Sequence, residues 1–380
     1  MALSTLTMPI DQITHILLVL LGISLAIQLY FLLFVQLRLA RYPVKKIQGK
    51  QQNPVSVIIC VRNEAELIRQ HLPAFLEQDY PEFELIIVND CSWDETEDLL
   101  RTLAAEHKNL KVVTVPEQER FKRNKKFALS MGIKAAQHEH LLLSEMDCKP
   151  ASKKWIKEMQ DNFVEGAEFV LGYAPQQKFP GVLPFFMRYE TFLNALNYLS
   201  FALNSGAFMG TGRNIAYLKS VFFRSKGFAS HMHIPSGDDV LFVNQHAGND
   251  NVRIEVKPGA QVWNSSKMSF GKFVKQKLKD MQLAVHFKFK DRFKLQIQFL
   301  SALLFYGTLL ALLILQFDWR MVLGIYLLRL VLQFGVYYKI FKRLSYPELK
   351  WSLPVLDFAY LIFMLILNTV FLFKNKAEWK

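Results

Sequence analysis

The chain has 380 residues, of which 51% are hydrophobic, with 32 Phe and a formal net charge of +13. Its mean hydropathy of +0.13 and its aromatic load exclude an average soluble domain, and they call for membrane segments. Three cysteines, Cys60, Cys91 and Cys148, offer neither a disulfide framework nor metal-ligand spacing; each reads as a small hydrophobe near a strand end.

Ile13 to Val35 is apolar and long enough to cross a hydrocarbon core, which takes roughly 20 residues. No Lys or Arg precedes it and it exceeds the apolar core of a secretory leader, so it is expected to be an anchor. Arg38, Arg41, Lys45, Lys46 and Lys50 follow at once, which puts this end of the span in the cytoplasm and the N-terminus outside.

From about Asn53 to Ser266 strands and helices alternate, over the length of one domain. Val55 to Val61 is a β-branched buried strand, and Glu64 to Gln78 has Leu67, Ile68, Leu72 and Phe75 at helical spacing. Leu85 to Val88 is the second strand and Asp94 to His107 the next helix, with Asp94 or Ser92 as its N-cap. Val112 to Val115 is the third strand, Lys125 to Gln137 a helix and Leu141 to Ser144 the fourth strand. Such βαβ units predict an α/β fold with a mainly parallel sheet, helices on both faces and the strand ends along one edge.

That edge collects polar residues: Arg62, Asn63 and Glu64, then Asn89, Asp90, Ser92 and Asp94, then Glu145 and Asp147. Residues two apart on an extended segment project the same way, so Glu145 and Asp147 can converge on one hard divalent cation, Mg or Mn, and through it on a diphosphate. Neither a Gly-rich dinucleotide turn nor a phosphate-cradling loop is present, so carboxylates, amides and a metal must hold any nucleotide. Gly210-Thr-Gly212-Arg213-Asn214 combines two glycines, a guanidinium and an amide suited to a sugar or phosphate. Asp238 and Asp239 precede the apolar run Val240 to Val243; they cap a helix, or one of them is a general base whose neighbour favours its taking a proton. His231 and His233 flank this loop and read as incidental.

Between Lys267 and Lys294 nine Lys or Arg face only Asp280 and Asp291 and are interleaved with Phe270, Phe273, Val274, Leu278, Met281, Leu283 and Phe287. This predicts an amphipathic helix lying on a bilayer. Much of the positive excess sits beside apolar spans, which points to anionic membrane lipids and not to nucleic acid. Three further spans are expected at Ile297 to Phe317, Met321 to Phe341 and Leu353 to Phe373, with few ionisable residues at their centres, which argues against a transporter. Lys288, Lys290, Arg292, Lys294, Lys342, Arg343 and Lys350 agree with a cytoplasmic central body, whereas Lys374, Lys376 and Lys380 conflict with four full crossings and leave the side of the C-terminus open.

Taken in order, Val55-Ser-Val-Ile-Ile with Arg62-Asn63-Glu64, Val88-Asn-Asp90 with Ser92 and Asp94, the acid-x-acid triplet, Gly-x-Gly-Arg-Asn and Gly-Asp-Asp resemble the family 2 glycosyltransferases over about Pro54 to Phe242. The flanking helices resemble those of its bacterial membrane-bound members. The resemblance implies a GT-A fold, a nucleotide-sugar donor with uridine favoured, and inversion at the anomeric carbon. By position it implies Arg62, Asn63, Glu64 and Asp94 around the nucleoside with Asp90 at the base, and Lys125 and Lys126 near the nucleotide. It further implies Glu145 and Asp147 on the metal, Gly212, Arg213 and Asn214 on the donor, Asp239 as base and Asp238 in support. Two departures stand out. Glu145 replaces the family's usual first Asp, and Gln276-Lys-Leu-Lys279-Asp280 replaces the Gln-x-x-Arg-Trp of processive synthases, which favours addition of one or a few sugars.

The expected organisation is an anchor over 1–50, a GT-A domain over 51–266, a basic interfacial segment over 267–296 and transmembrane helices over 297–380. The expected function is transfer of a sugar to a lipid-linked or envelope glycan acceptor at the inner cell membrane, with the catalytic domain in the cytoplasm. The competing expectation is a catalytically silent nucleotide-binding or scaffolding protein of the same fold, suggested by Glu145.

Overall fold

The computed structural model describes residues 10–43, 52–116, 125–164, 166–234 and 236–373; Lys45, Lys46, Lys50, Lys374, Lys376 and Lys380 lie outside them. In chain order, α1 (Ile10–Tyr30) passes through a π-helical stretch (Phe31–Gln36) into α2 (Leu37–Arg41). Then come β1 (Val55–Val61), α3 (Ala65–Leu76), β2 (Phe83–Asp90), α4 (Thr96–Glu106), β3 (Leu110–Val115), α5 (Lys125–Ala135), β4 (His140–Glu145), β5 (Cys148–Pro150), α6 (Trp155–Gln160) and β6 (Phe169–Leu171). The chain continues with α7 (Val182–Ala202), β7 (Ile215–Leu218), α8 (Lys219–Arg224), α9 (Asp238–His246), β8 (Val252–Ile254), β9 (Val262–Asn264) and α10 (Phe270–Ala284). Three long helices follow, α11 (Phe289–Ile314), α12 (Trp319–Arg343) and α13 (Leu353–Phe373). Two compact units result. One holds the chain up to Arg41, Phe289–Phe341 and the chain from Pro347; the other holds Tyr42–Lys288 and Lys342–Tyr346.

The second unit is the α/β domain. The β-branched run of β1 is buried on both faces, as a central strand requires, with Val55, Val57, Ile58 and Ile59 each at most 2% exposed. It pairs in parallel with β2 on one side and β4 on the other, and β2 pairs in parallel with β3. The full order is β3-β2-β1-β4-β7-β6-β8. Chain order therefore reverses between β1 and β4, and in open α/β sheets such a switch point, outside the carboxyl ends of the strands, is where ligands bind. Ile68, Leu72 and Phe75 form the buried stripe of α3 against this sheet.

The sheet is not parallel throughout: β7 runs antiparallel to both β4 and β6, whereas β6 and β8 pair in parallel. A separate antiparallel pair, β5 with β9, begins immediately after Asp147, and the Ser265 N–H donates to the Asp147 carbonyl at 2.9 Å. Three-residue strands have too little pattern to stand out in a sequence. The expected single basic helix is divided: Phe270–Ala284 form α10, whose inner face packs on the domain, and the residues from Phe289 onward belong to α11. Phe273, Leu278 and Leu283 are buried, Phe273 meets Phe186 of α7 edge to face at 6.3 Å, and Lys277 sits 2.5 Å from Glu190. Phe270, the first residue of the helix, is 60% exposed, and Lys272, Lys275 and Lys279 form its exposed outer face.

The other unit contains four helices long and apolar enough to cross a membrane, Ile10–Arg41, Phe289–Ile314, Trp319–Arg343 and Pro347–Phe373. Helix α11 starts at Phe289 and not at Ile297, taking in Lys290, Arg292 and Lys294. The spans are not free of ionisable groups. Arg329 of α12 pairs with Asp357 of α13 at 3.0 Å, and the Tyr306 hydroxyl of α11 donates to the same carboxylate at 2.8 Å. Arg329 Nε also donates to Gln28 Oε1 of α1, so this charge pair is shared by all four helices.

Candidate active site

Three strand ends and two loops bring the candidate residues together. Glu145 closes β4 beside Cys60 of β1, and Asp147 follows it. Lys125, the first residue of α5, places its ammonium 2.6 Å from Glu145 Oε1 and 3.6 Å from Asp238 Oδ2. Arg213 reaches both acids of the triplet, with Nε 3.0 Å from Glu145 Oε2 and Nη2 3.3 Å from Asp147 Oδ2. The Ser144 hydroxyl donates to the Arg213 carbonyl at 2.9 Å and ties that loop to β4. The core of the site is thus a chain of alternating charge, Asp238, Lys125, Glu145, Arg213 and Asp147.

Burial and charge shape the titration of these groups. Burial alone would push Glu145 up, but Lys125 and Arg213 outweigh it and hold its carboxyl at about 2. Burial would likewise lower Lys125, yet Asp238, Glu145 and Asp239 together keep it raised. Asp239 lies well above the usual carboxylate range because it is buried and faces Asp238, against the weaker opposing pull of Lys125. Glu64 is pushed up to about 7 by burial and by Asp147 and Glu145.

Asp238 and Asp239 form the first turn of α9, whose N-cap is Gly237 in the left-handed region at φ 80°. A side chain at Gly237 would strike Leu283 of α10 at 2.3 Å. Gly212 is required for a second close approach: a Cβ there would stand 1.8 Å from Asp239 Oδ2. Asp239 is 5% exposed, and its Oδ1 has no hydrogen-bond partner among the described residues.

The strand-one and strand-two loops brace each other. The Asn63 N–H donates to Ser92 Oγ at 3.0 Å, the Trp93 N–H to Asn63 Oδ1 at 2.9 Å, and the Glu64 N–H to Thr96 Oγ1 at 3.0 Å. Arg62 lies 3.8 Å from Asp90.

Three expected donor contacts have other surroundings. Lys126 is 1% exposed and donates to the carbonyls of His231 at 2.7 Å and Ile234 at 2.9 Å, so its ammonium pins the loop that enters α9. Asn214 is wholly buried; it accepts from the Trp155 indole and donates to the carbonyls of Tyr173 and Ala260. Asp94 is exposed and accepts from the Thr96 N–H at the start of α4, whose N-cap position is Glu95 and not the expected Asp94 or Ser92. His231 is buried beside this loop, and burial with Lys126 pushes it down to about 4.

Sequence reasoning missed Ser144 and the pairing of Arg213 with the acid triplet, because no spacing rule links a loop to a strand that is distant in sequence. Among the described residues no cluster of three His, Cys, Asp or Glu is set to hold a metal. Two carboxylates nevertheless suit a divalent cation that takes its remaining ligands from phosphate oxygens, as Mg does.

Residues 56–223 match the model of the glycosyl transferase family 2. The α/β unit carries a family 2 glycosyltransferase domain. This domain is 33% identical over 102 residues to the poly-β-1,6-N-acetyl-D-glucosamine synthase of Staphylococcus epidermidis, covering 27% of this chain and 24% of that protein. It is 28% identical over 142 residues to the glycosyltransferase AglE of Haloferax volcanii, covering 37% of this chain and 45% of AglE. The chain therefore spans less than half the length of these relatives. The mannosyltransferase PcManGT of Pyrobaculum calidifontis, solved with GDP-Man and Mn2+, aligns with 91% of this chain and 98% of its own at a TM-score of 0.56 and 17% identity. The family 2 domain thus has the GT-A type fold expected of it, with one long apolar helix before it and three after it.

Proposed function

We propose that the protein is a membrane-bound inverting glycosyltransferase. It would move one or a few sugars from a nucleotide-sugar donor, with a UDP-sugar favoured, to a lipid-linked or envelope glycan acceptor. The observation that supports this most is the position of Asp239: a buried carboxylate with an unpartnered oxygen, pressed against Gly212 and next to an alternating line of acids and cations.

In the step proposed, the acceptor hydroxyl oxygen attacks the anomeric carbon and gives its proton to Asp239. The bond from that carbon to the diphosphate oxygen breaks, and the diphosphate leaves with the electron pair, so one displacement inverts the centre. Lys125 and Arg213 offer positive charge where the diphosphate develops negative charge. Glu145 and Asp147 would hold a Mg or Mn ion, which would neutralise part of the same charge. Asp239 must be ionised to act, and its raised proton affinity makes it a strong base once it is. Activity is therefore expected to rise with pH along a limb well above the range of an ordinary Asp.

Arg38 and Arg41 at the end of the first span, Lys288, Lys290, Arg292 and Lys294 at the second, and Lys342 and Arg343 at the third support a cytoplasmic catalytic unit in the inner membrane. Lys272, Lys275 and Lys279 on the outer face of α10 support contact with anionic headgroups. One observation favours the silent alternative: both acids of the triplet already face cations.

The test is nucleotide release by detergent-purified protein from a panel of UDP- and GDP-sugars, with membrane lipid extract as acceptor, in Mg, Mn or chelator. The proposal expects metal-dependent release from one donor that is lost in Asp239→Asn and Glu145→Ala. Full turnover in Asp239→Asn removes it as the base, and binding without release from any donor favours the silent protein.

A further inference from the structure

The chain leaves the main sheet at Glu145 and enters the small one at Cys148, so Met146 and Asp147 form a turn between two strands. The carbonyls of such a turn lie outside the ladders of both sheets and must find other partners. Two side chains from remote parts of the domain supply them. The His71 Nδ1–H donates to the Met146 carbonyl at 2.7 Å. The Asp147 carbonyl accepts from both the N–H and the hydroxyl of Ser265, each at 2.9 Å, and Ser265 Oγ lies 3.5 Å from His71 Nε2. His71 and Ser265 therefore brace the backbone of the acid triplet from the side of α3 and the end of β9.

A histidine is a costly residue at this position. His71 is 7% exposed and belongs to the stripe of α3 that packs on the sheet, with Ile68 and Phe75 a turn away on either side. Burial of an imidazole is offset only by hydrogen bonds, and the bond to Met146 is the short one. A carbonyl can only accept, so Nδ1 carries a proton. With Nδ1 turned to Met146 and Nε2 to Ser265, the ring is not itself placed as a metal ligand.

We infer that His71 is a positioning residue for the metal-binding acids. Acting through the Met146 carbonyl, and with Ser265 on the Asp147 carbonyl, it fixes the turn whose peptide planes decide whether Glu145 and Asp147 converge on one divalent cation. This rests on the metal site proposed above. Groups that orient metal ligands contribute about ten- to a hundredfold to metal affinity, so loss of the His71 donor is read there most directly.

The experiment is calorimetric titration of the full-length protein in detergent with Mn2+, alongside melting curves, for wild type, His71→Leu, His71→Asn, Ser265→Ala and Leu110→Ala. His71→Leu is expected to weaken Mn2+ binding by about tenfold or more. His71→Asn, whose amide nitrogen stands as many bonds from the backbone as Nδ1, should stay within about threefold of wild type. Leu110→Ala truncates a buried side chain in β3, three strands away from β4, and should lower the melting temperature without changing Mn2+ affinity. Ser265→Ala keeps the N–H bond to Asp147, loses the hydroxyl bond and should weaken Mn2+ by about threefold. Wild-type affinity in His71→Leu, or in Ser265→Ala where His71→Leu does not fold, overturns the inference. So does an equal loss in Leu110→Ala or a failure of His71→Asn to restore binding, because the effect would then be a general loosening of the domain. A wild-type protein that binds no Mn2+ overturns the metal reading and this inference with it, while sugar transfer stands or falls separately on nucleotide release in chelator.

Discussion

Replacing Gly212 by Ala tests the placement of the proposed base without touching the base itself. A methyl group at this position would stand 1.8 Å from Asp239 Oδ2 and 2.8 Å from its Cγ, inside the 3.0 Å that Cβ contacts keep. The carboxylate must then withdraw by roughly 1 Å, and a misplacement of about that size at a reacting group costs on the order of a hundredfold in rate. Asp239 has no easy retreat, because it is fixed in the first turn of α9 behind Gly237 and Leu283. Gly212→Ala is therefore expected to lower kcat about a hundredfold while UDP or GDP affinity, read by calorimetry, stays within about threefold. Gly210→Ala is the control. Its Cβ would meet Ile215 Cδ1 at 2.8 Å and Leu171 Cδ2 at 3.1 Å, both flexible aliphatic ends, so it should lower the melting temperature and spare kcat. A Gly212→Ala protein with wild-type kcat would refute the reasoning, since Asp239 would then tolerate displacement no base can tolerate.

Lys126→Met removes two charge-assisted hydrogen bonds to the loop before α9, each worth about 1.5–3 kcal/mol. The expected result is a fall in kcat of about tenfold or more with the donor KM unchanged, in steady-state assays; a raised donor KM with kcat preserved would instead place the ammonium at the nucleotide. Glu64 makes stability pH-dependent in a definite direction. Its folded value of about 7 lies above the 4.5 of an ordinary glutamate, so the folded state is favoured while the group is protonated and loses that advantage as pH rises from about 4.5 to about 7. Melting scans should show Glu64→Gln gaining on the wild type across this window and holding the gain above it; parallel curves would mean that Glu64 is not held against Asp147 and Glu145.

The long elements were readable because their patterns are long. A run such as Val55-Ser-Val-Ile-Ile has one stable place, the middle of a parallel sheet, and the acids at strand ends follow from where such strands must stop. The four apolar helices announced themselves by length alone, though the start of α11 did not, since its first turns are basic. What could not be read depends on contacts between distant segments. Lys125 and Lys126 are adjacent and chemically alike, yet one faces Glu145 and the other is buried under His231 and Ile234; successive helix positions differ by about 100° in direction, which decides their surroundings. Asn214 looked like a ligand-binding amide because loop amides often are, whereas the fold uses it to satisfy the Trp155 indole and two carbonyls. The antiparallel β7 and the β5 with β9 pair are set by partners far along the chain, and their few residues hold no period that would reveal them.

The sharing of Arg329 by four helices bears on how the protein is made. During synthesis α12, with Arg329, emerges before α13, with Asp357, so for a time the guanidinium has Gln28, Tyr306 and Gln333 but no counter-charge. An Arg at the centre of a lone inserting helix is disfavoured by roughly 2.5–3.5 kcal/mol. In a bilayer, α12 is therefore expected to insert only together with α13, the last two helices entering as a pair. A chain cut between them would release a third helix that partitions poorly into lipid, whatever the condition of its catalytic unit.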